Sequence, residues 1–232
     1  MPQRTIITAG EVVRYSPESQ KFPPNAALPH IERKEKAFAR SFLGVDFYQA
    51  LLGDLVDTAG MKAWSPATTY SQGDIVDYFG MVLKSLVATN SVNPCEDVAG
   101  ESWEAVKKFT SDCYETMWAE GLRDYLAYTV MASAIDHTTF PASAKGVGEW
   151  SDDASGLRSA SYNIFVARKN KLLSDASEAL ENLKDWLRRE HDDADSLCDF
   201  SDVLWIQDCR KKPPFSRGRR FHFANRNKKQ QW

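Results

Sequence analysis

The sequence predicts a mainly α protein: a helical bundle interrupted by a small antiparallel β module and followed by an extended basic arm. Three observations carry this. Apolar residues recur at helical spacing on both sides of a central segment, residues 61–108, where the helical pattern stops. That segment is short, aromatic and rich in turn residues. The last 23 residues, 210–232, hold nine of the chain's 29 basic residues and none of its 32 acids, which leaves the first 209 residues at net −12. The domain plan is therefore a bundle from residues 1–60 and 109–209, an inserted module at 61–108, and an arm at 210–232.

In chain order, residues 1–28 carry the short apolar pieces Ile6-Ile7 and Val12-Val13 ahead of Pro23-Pro24. They predict a short strand or extended arm followed by a loop. A first helix is expected near Pro29, because proline is tolerated in a first turn. Ile31, Phe38, Phe42 and Leu43 form its stripe, and Gly44 is its stop. Asp46 is a candidate cap for a second helix with Tyr48, Leu51, Leu52, Leu55 and Val56 on one face and Gly60 at its end.

In the module, Gly73-Asp74 and Phe79-Gly80 mark turns around Ile75, Val76, Tyr78, Val82 and Leu83. That predicts two or three short strands, with Trp64 and Trp103 closing a small core. Ser111 or Asp112 is placed to cap a third helix running to about Ile135. A loop is expected over 137–155. The longest helix follows, near 157–191, with a stripe of Tyr162, Phe165, Val166, Leu172, Leu173, Ala176, Leu180, Leu183, Trp186 and Leu187. A short element near 200–206 precedes the arm.

Composition excludes several classes. Hydrophobic residues at 43% and charged residues at 26% fit a folded globular chain rather than a disordered one. No apolar run approaches the roughly 18 residues that span a bilayer, and the N-terminus lacks the pattern of a signal peptide. The sequence therefore predicts no membrane association and synthesis in a cytoplasm. Cys95, Cys113, Cys198 and Cys209 form no close pair, nor do His30, His137, His191 and His222. No metal site and no cofactor is expected, and the cysteines read as free, mostly buried thiols. No nucleophile, phosphate-loop or dinucleotide motif is present. Asp152-Asp153 and Asp192-Asp193 read as solvated residues at helix ends, and His137, in a loop near Asp136, is a candidate base with no nucleophile placed by the sequence, so an enzyme is not expected.

The arm interleaves Phe215, Phe221, Phe223 and Trp232 with Arg210, Lys211, Lys212, Arg217, Arg219 and Arg220. Cations neutralise phosphates and aromatic rings stack on bases, which suits nucleic acid. The same residues suit an anchor that docks in a groove of a partner protein, with rings inserted and arginines at the rim. A solvated tail is the third reading.

The stretch IERKEKAFARSFLGVDFYQALLGDLVD resembles the opening of head-to-tail adaptor (connector) proteins of tailed bacteriophages, particularly those infecting Bacteroidetes. The likeness rests on Glu32 and Glu35, Leu43-Gly44, Phe47-Tyr48 and Leu51-Leu52. A glycine-bearing loop, GVGEWSDDASGLRSAS, leading into the long last helix is similar to the far end of such proteins. The resemblance implies a virion structural protein in the neck at the capsid vertex, assembled in the host cytoplasm. It implies a homo-oligomeric ring, commonly of twelve copies, under the portal protein. Such a ring extends the channel for packaged double-stranded DNA and meets a tail or stopper protein. It assigns the basic arm to portal docking and the acidic body to a channel wall that DNA does not stick to. The module resembles type 5/12 carbohydrate-binding modules through Trp64, Tyr70, Gly73, Asp74, Val76, Gly80, Asn93-Pro94 and Trp103. Leu83 and Leu86-Val87 stand where those modules carry aromatics. Trp64, Tyr70, Tyr78 and Trp103 are thus candidate contacts to a carbohydrate or to a neighbouring virion protein. The alternatives to the adaptor reading are a carbohydrate-binding attachment protein and a nucleic-acid-binding protein acting through the arm.

Overall fold

The computed structural model describes residues 4–16, 22–97, 99–139, 142–143, 146–147, 162–193 and 196–211. It is mainly helical with one small three-stranded antiparallel sheet. The chain opens with a helix where the sequence predicted an extended arm. α1 (Ala9–Tyr15) is nucleated by a capping box: Glu11 N donates to Thr8 Oγ1, and Thr8 N donates to the Glu11 carboxylate. The apolar pieces Ile6-Ile7 and Val12-Val13 are fully buried around it. A seven-residue helix is unstable alone, so tertiary contact holds it.

α2 (Leu28–Phe38) starts where Pro29 predicted. It widens into a π-turn, Ala39–Leu43, and stops at Gly44. α3 (Val45–Asp54) takes Gly44 as its N-cap, and Asp46 sits in its first turn instead of capping it. α3 ends at Asp54, not at Gly60. Leu55 turns extended and pairs antiparallel with Phe109; Val56 N donates to Lys108 O (2.9 Å) and Thr110 N to Asp54 O (3.1 Å). The chain's exit from the bundle and its return are thus zipped together at the root of the module.

In the module, β1 (Ile75–Tyr78) and β2 (Met81–Ser85) form a hairpin, and β3 (Trp103–Ala105) adds to β2. The Phe79-Gly80 turn has both residues at positive φ (48° and 86°), the geometry that matches strand twist in two-residue hairpins. The predicted strands and turns stand where the sequence put them.

The third helix is broken where one continuous helix to Ile135 was expected. α4 (Asp112–Met117) has Ser111 at its N-cap, passes through a π-turn (Trp118–Leu122) and continues as α5 (Arg123–Thr139). Gly121 in the turn has φ 146°, and a Cβ there would lie 2.5 Å from the Ala179 carbonyl. The glycine lets this helix approach α6 (Tyr162–Asp192), the longest element. Of the predicted α6 stripe, Leu172, Ala176, Leu183, Trp186 and Leu187 are buried, while Leu173 faces outward. α5 runs to Thr139, inside the expected loop, and a small hairpin of β4 (Ala142–Ser143) and β5 (Gly146–Val147) follows. α7 (Leu204–Lys211) ends the described chain and includes Arg210 and Lys211, which the sequence assigned to the arm.

One core joins α1, α2, α3, α5, α6 and α7, with Leu43, Leu51, Phe109, Met117, Leu122, Leu126, Met131, Leu183 and Phe200 nearly inaccessible. A second, smaller core fills the module around Tyr70, Val76, Tyr78, Leu83 and Trp103. The two are bridged by α1, whose Val12 enters the first and whose Val13 enters the second.

The expectation of free thiols fails at two positions. Cys113 and Cys198 form a disulfide across a sequence separation of 85, while Cys95 is a buried thiol. Spacing gave no sign of it, because the fold alone brings the start of α4 to the segment after α6. Closing a loop of that length removes unfolded-state entropy of about 4–5 kcal/mol.

Candidate functional site

The four aromatic residues predicted as contacts divide into three core residues and one at the edge. Tyr70, Tyr78 and Trp103 are buried. Trp103 Nε1 donates to Val92 O at 2.9 Å, and its ring meets Tyr70 edge to face with centroids 5.4 Å apart. Tyr78 shares a 2.9 Å hydrogen bond with Cys95. Burial raises the Tyr78 phenol well above its ordinary range. These rings therefore form the module's interior and present no face to a sugar. Trp64 is half-buried, standing edge-on to Tyr78 at 5.4 Å. Leu83, where the resembling modules carry an aromatic, is also inside. A module of this size lacks the surface-to-volume ratio for a large core, so its aromatics are taken up in making one.

The edge of β3 is closed as well. Trp103 N donates to Asp97 at 2.7 Å, and Arg14 Nη2 donates to Trp103 O at 2.9 Å. Arg14 comes from α1, which also packs over the hairpin turn: Gly10 N donates to Phe79 O at 3.1 Å. A side chain at Gly10 would collide with the Tyr78 carbonyl, so this approach needs glycine.

Between α1, the module and the Trp118–Leu122 turn lies a cleft of about 920 Å³. Its floor carries Glu11 and Lys108, an ion pair at 2.5 Å that is almost wholly buried. Lys108 also sits 4.7 Å from the Trp118 ring centroid, and Arg123 sits 4.3 Å from that of Tyr15. Glu115 accepts from Lys108 N and Phe109 N, both at 2.8 Å. Arg4 donates to the Leu55 and Val56 carbonyls. The cleft's charges are committed to one another and to backbone, so the cleft is a seam that ties module to bundle. The sequence reading missed Gly10, Glu11, Arg14, Lys108 and Arg123. Only Glu11 had a local signal, the Thr8-x-x-Glu11 box.

A second buried carboxylate anchors the same N-terminal segment. Glu35 of α2 accepts from Ile6 N (3.0 Å), Ile7 N (2.6 Å) and Tyr48 Oη (2.8 Å). Burial, opposed by these donors and more weakly by Lys108, pushes its pKa up to about 7. Either protonation state is accommodated, because Tyr48 Oη can accept the proton of a neutral carboxyl. A carboxyl whose folded pKa lies above its unfolded value stabilises most at low pH, and the contribution fades as pH rises from about 4.5 through 7. Wild type is therefore expected to lose on the order of 3 kcal/mol relative to Glu35→Gln between pH 4.5 and 8. Denaturant melts of both proteins across that range check the sign and size.

Of the residues assigned to the arm, Arg210 and Lys211 form the last turn of α7, and Lys212, Phe215, Arg217, Arg219, Arg220, Phe221, Phe223 and Trp232 lie outside the described residues. So do Asp152-Asp153. Asp192 and Asp193 are exposed at the end of α6. Among the described residues no cluster of acids, histidines and cysteines could hold a metal ion, and no helix is long and apolar enough to cross a membrane.

Residues 96–198 match the model of a family of unknown function, DUF6712. The chain is similar to that family over this stretch, which is under half its length. The stretch runs from the end of the module through both disulfide cysteines. No curated protein and no solved structure matches the chain.

Proposed function

We propose that the chain is a head-to-tail adaptor: a virion structural protein that assembles into a ring under the portal, extends the DNA channel and joins capsid to tail. The observation that supports this best is where the resembling residues fall. Glu35, Leu43, Phe47, Tyr48 and Leu51 are buried together in the bundle core, and Gly44 makes the turn between α2 and α3. Most of the motif is thus one packing unit, flanked by α5 and α7, while Glu32 stays exposed and pairs with Lys36. A protein whose marked residues serve packing, and whose buried charges are spent on joining its parts, suits a scaffold. The acidic body suits a channel wall that repels DNA at short range, an effect that salt screens.

In this reading the basic arm docks on the portal. Truncation after Cys209 is expected to leave the melting transition nearly unchanged and to abolish portal binding in a pull-down with the purified portal. Replacing Phe221, Phe223 and Trp232 with Ala is expected to weaken that binding more than Arg219→Gln with Arg220→Gln. Dominance of the arginine pair, with affinity for double-stranded DNA falling steeply in salt, would instead make the arm a nucleic-acid grip.

A further inference from the structure

We propose that the Cys113–Cys198 bond is a redox-responsive clasp on the root of the C-terminal arm. Closed, it holds residues 196–211 against the bundle; opened, it releases that segment while α5 and α6 stay folded. The proposal does not rest on the adaptor reading.

Cys113 is the second residue of α4, and Cys198 lies in the irregular stretch between α6 and α7. Both are half-buried, within reach of a small thiol from solvent, and Leu197 beside the bond is 99% exposed. The disulfide therefore lies at the margin of the core, partly open to an exchange reagent. Beyond it, a few core side chains hold the segment. Phe200 packs on Trp186 (centroids 5.1 Å apart), and Val203 and Ile206 are buried. Trp205 lies between Phe42 (5.6 Å) and the Arg188 guanidinium (4.8 Å). α7 has eight residues, too few to persist as a helix once undocked. Its last two residues are the first two cations of the arm. The bond thus tethers a short C-terminal helix that leads into the arm.

The chemistry is ordinary exchange. One protein thiolate attacks a low-molecular-weight disulfide such as oxidised glutathione, forming a mixed disulfide and releasing one small thiolate. The second protein thiolate then displaces the other. Two protein thiols are oxidised, one small disulfide is reduced to two thiols, and the two protons pass to those leaving groups. A dithiol reductant reverses the sequence.

The test uses the full chain equilibrated with oxidised glutathione or with dithiothreitol, read by peptide mapping after alkylation and by hydrogen exchange. The oxidised sample is expected to contain the 113–198 cross-link. Reduction is expected to speed exchange across 196–211 by about ten-fold or more while α5 and α6 keep their protection. Cys113→Ser and Cys198→Ser should each show the fast exchange in both conditions, and agreement between them guards against misfolding of one. Three results would overturn the proposal: both thiols alkylating in the oxidised sample, exchange over 196–211 indifferent to reduction, or reduction loosening α5 and α6 equally.

Discussion

Trp103→Ala is expected to unfold the module and part of α1, at a cost of about 3–5 kcal/mol. The ring is fully buried and is the largest side chain in the module's buried core. Its loss also strands the Val92 carbonyl that accepts from Nε1 and leaves Tyr70 without its edge-to-face partner. Backbone bonds at the same residue receive Arg14 and reach Asp97, so the break carries to α1 and to the loop before β3. Hydrogen exchange should report loss of protection over residues 62–106 and α1, with α5 and α6 retained. Retained protection across the module would show that its core does not depend on this ring.

Gly121→Val should destabilise the bundle comparably, through a different mechanism. The φ of 146° is open to glycine and strained for any β-branched residue by about 1–3 kcal/mol. The new side chain would also press on the Ala179 carbonyl and, at 3.2 Å, on Leu183 Cβ, with an overpacking cost of about 1–3 kcal/mol. The sum lowers Tm by about 10 °C for a chain of this size. Gly53→Ala is the control: it lies in α3 with nothing near its Cβ position and should stabilise by about 0.5–1 kcal/mol. Differential scanning calorimetry of the three proteins separates close approach from simple flexibility. A small effect of Gly121→Val would mean that α6 can move away from the π-turn without loss.

These two residues also mark what the sequence made legible. Trp103 was readable as a module core residue because two tryptophans bracket a turn-rich segment. The same aromatics also fitted a sugar platform, and only the fold shows that Tyr70, Tyr78 and Trp103 face inward. Gly121 was unreadable, since its neighbours carry an unbroken helical stripe and a π-turn leaves that stripe nearly intact. α2, Gly44, the 75–85 hairpin and the long α6 were legible because each combines a strong period with a stop signal. α1 was missed because seven residues are too few to establish a period; the capping box was its one local sign. α3 stops six residues early because its end is set by the pairing of 54–56 with 108–110, residues far apart in the chain. The disulfide and the Glu11–Lys108 pair are likewise products of long-range proximity, with no trace in local spacing. The buried Glu35 sat in plain view as an acid on a helix, where a solvated role is the usual one; its burial comes with the Ile6-Ile7 segment and Tyr48 closing on it.

Assembly into a portal-bound ring is tested most directly by electron microscopy of the full chain co-expressed with a phage portal protein. Closed rings of this protein stacked on one face of the portal are expected, lost when residues 210–232 are removed. A strict monomer that leaves the portal bare, at concentrations where both proteins are intact and folded, would contradict it.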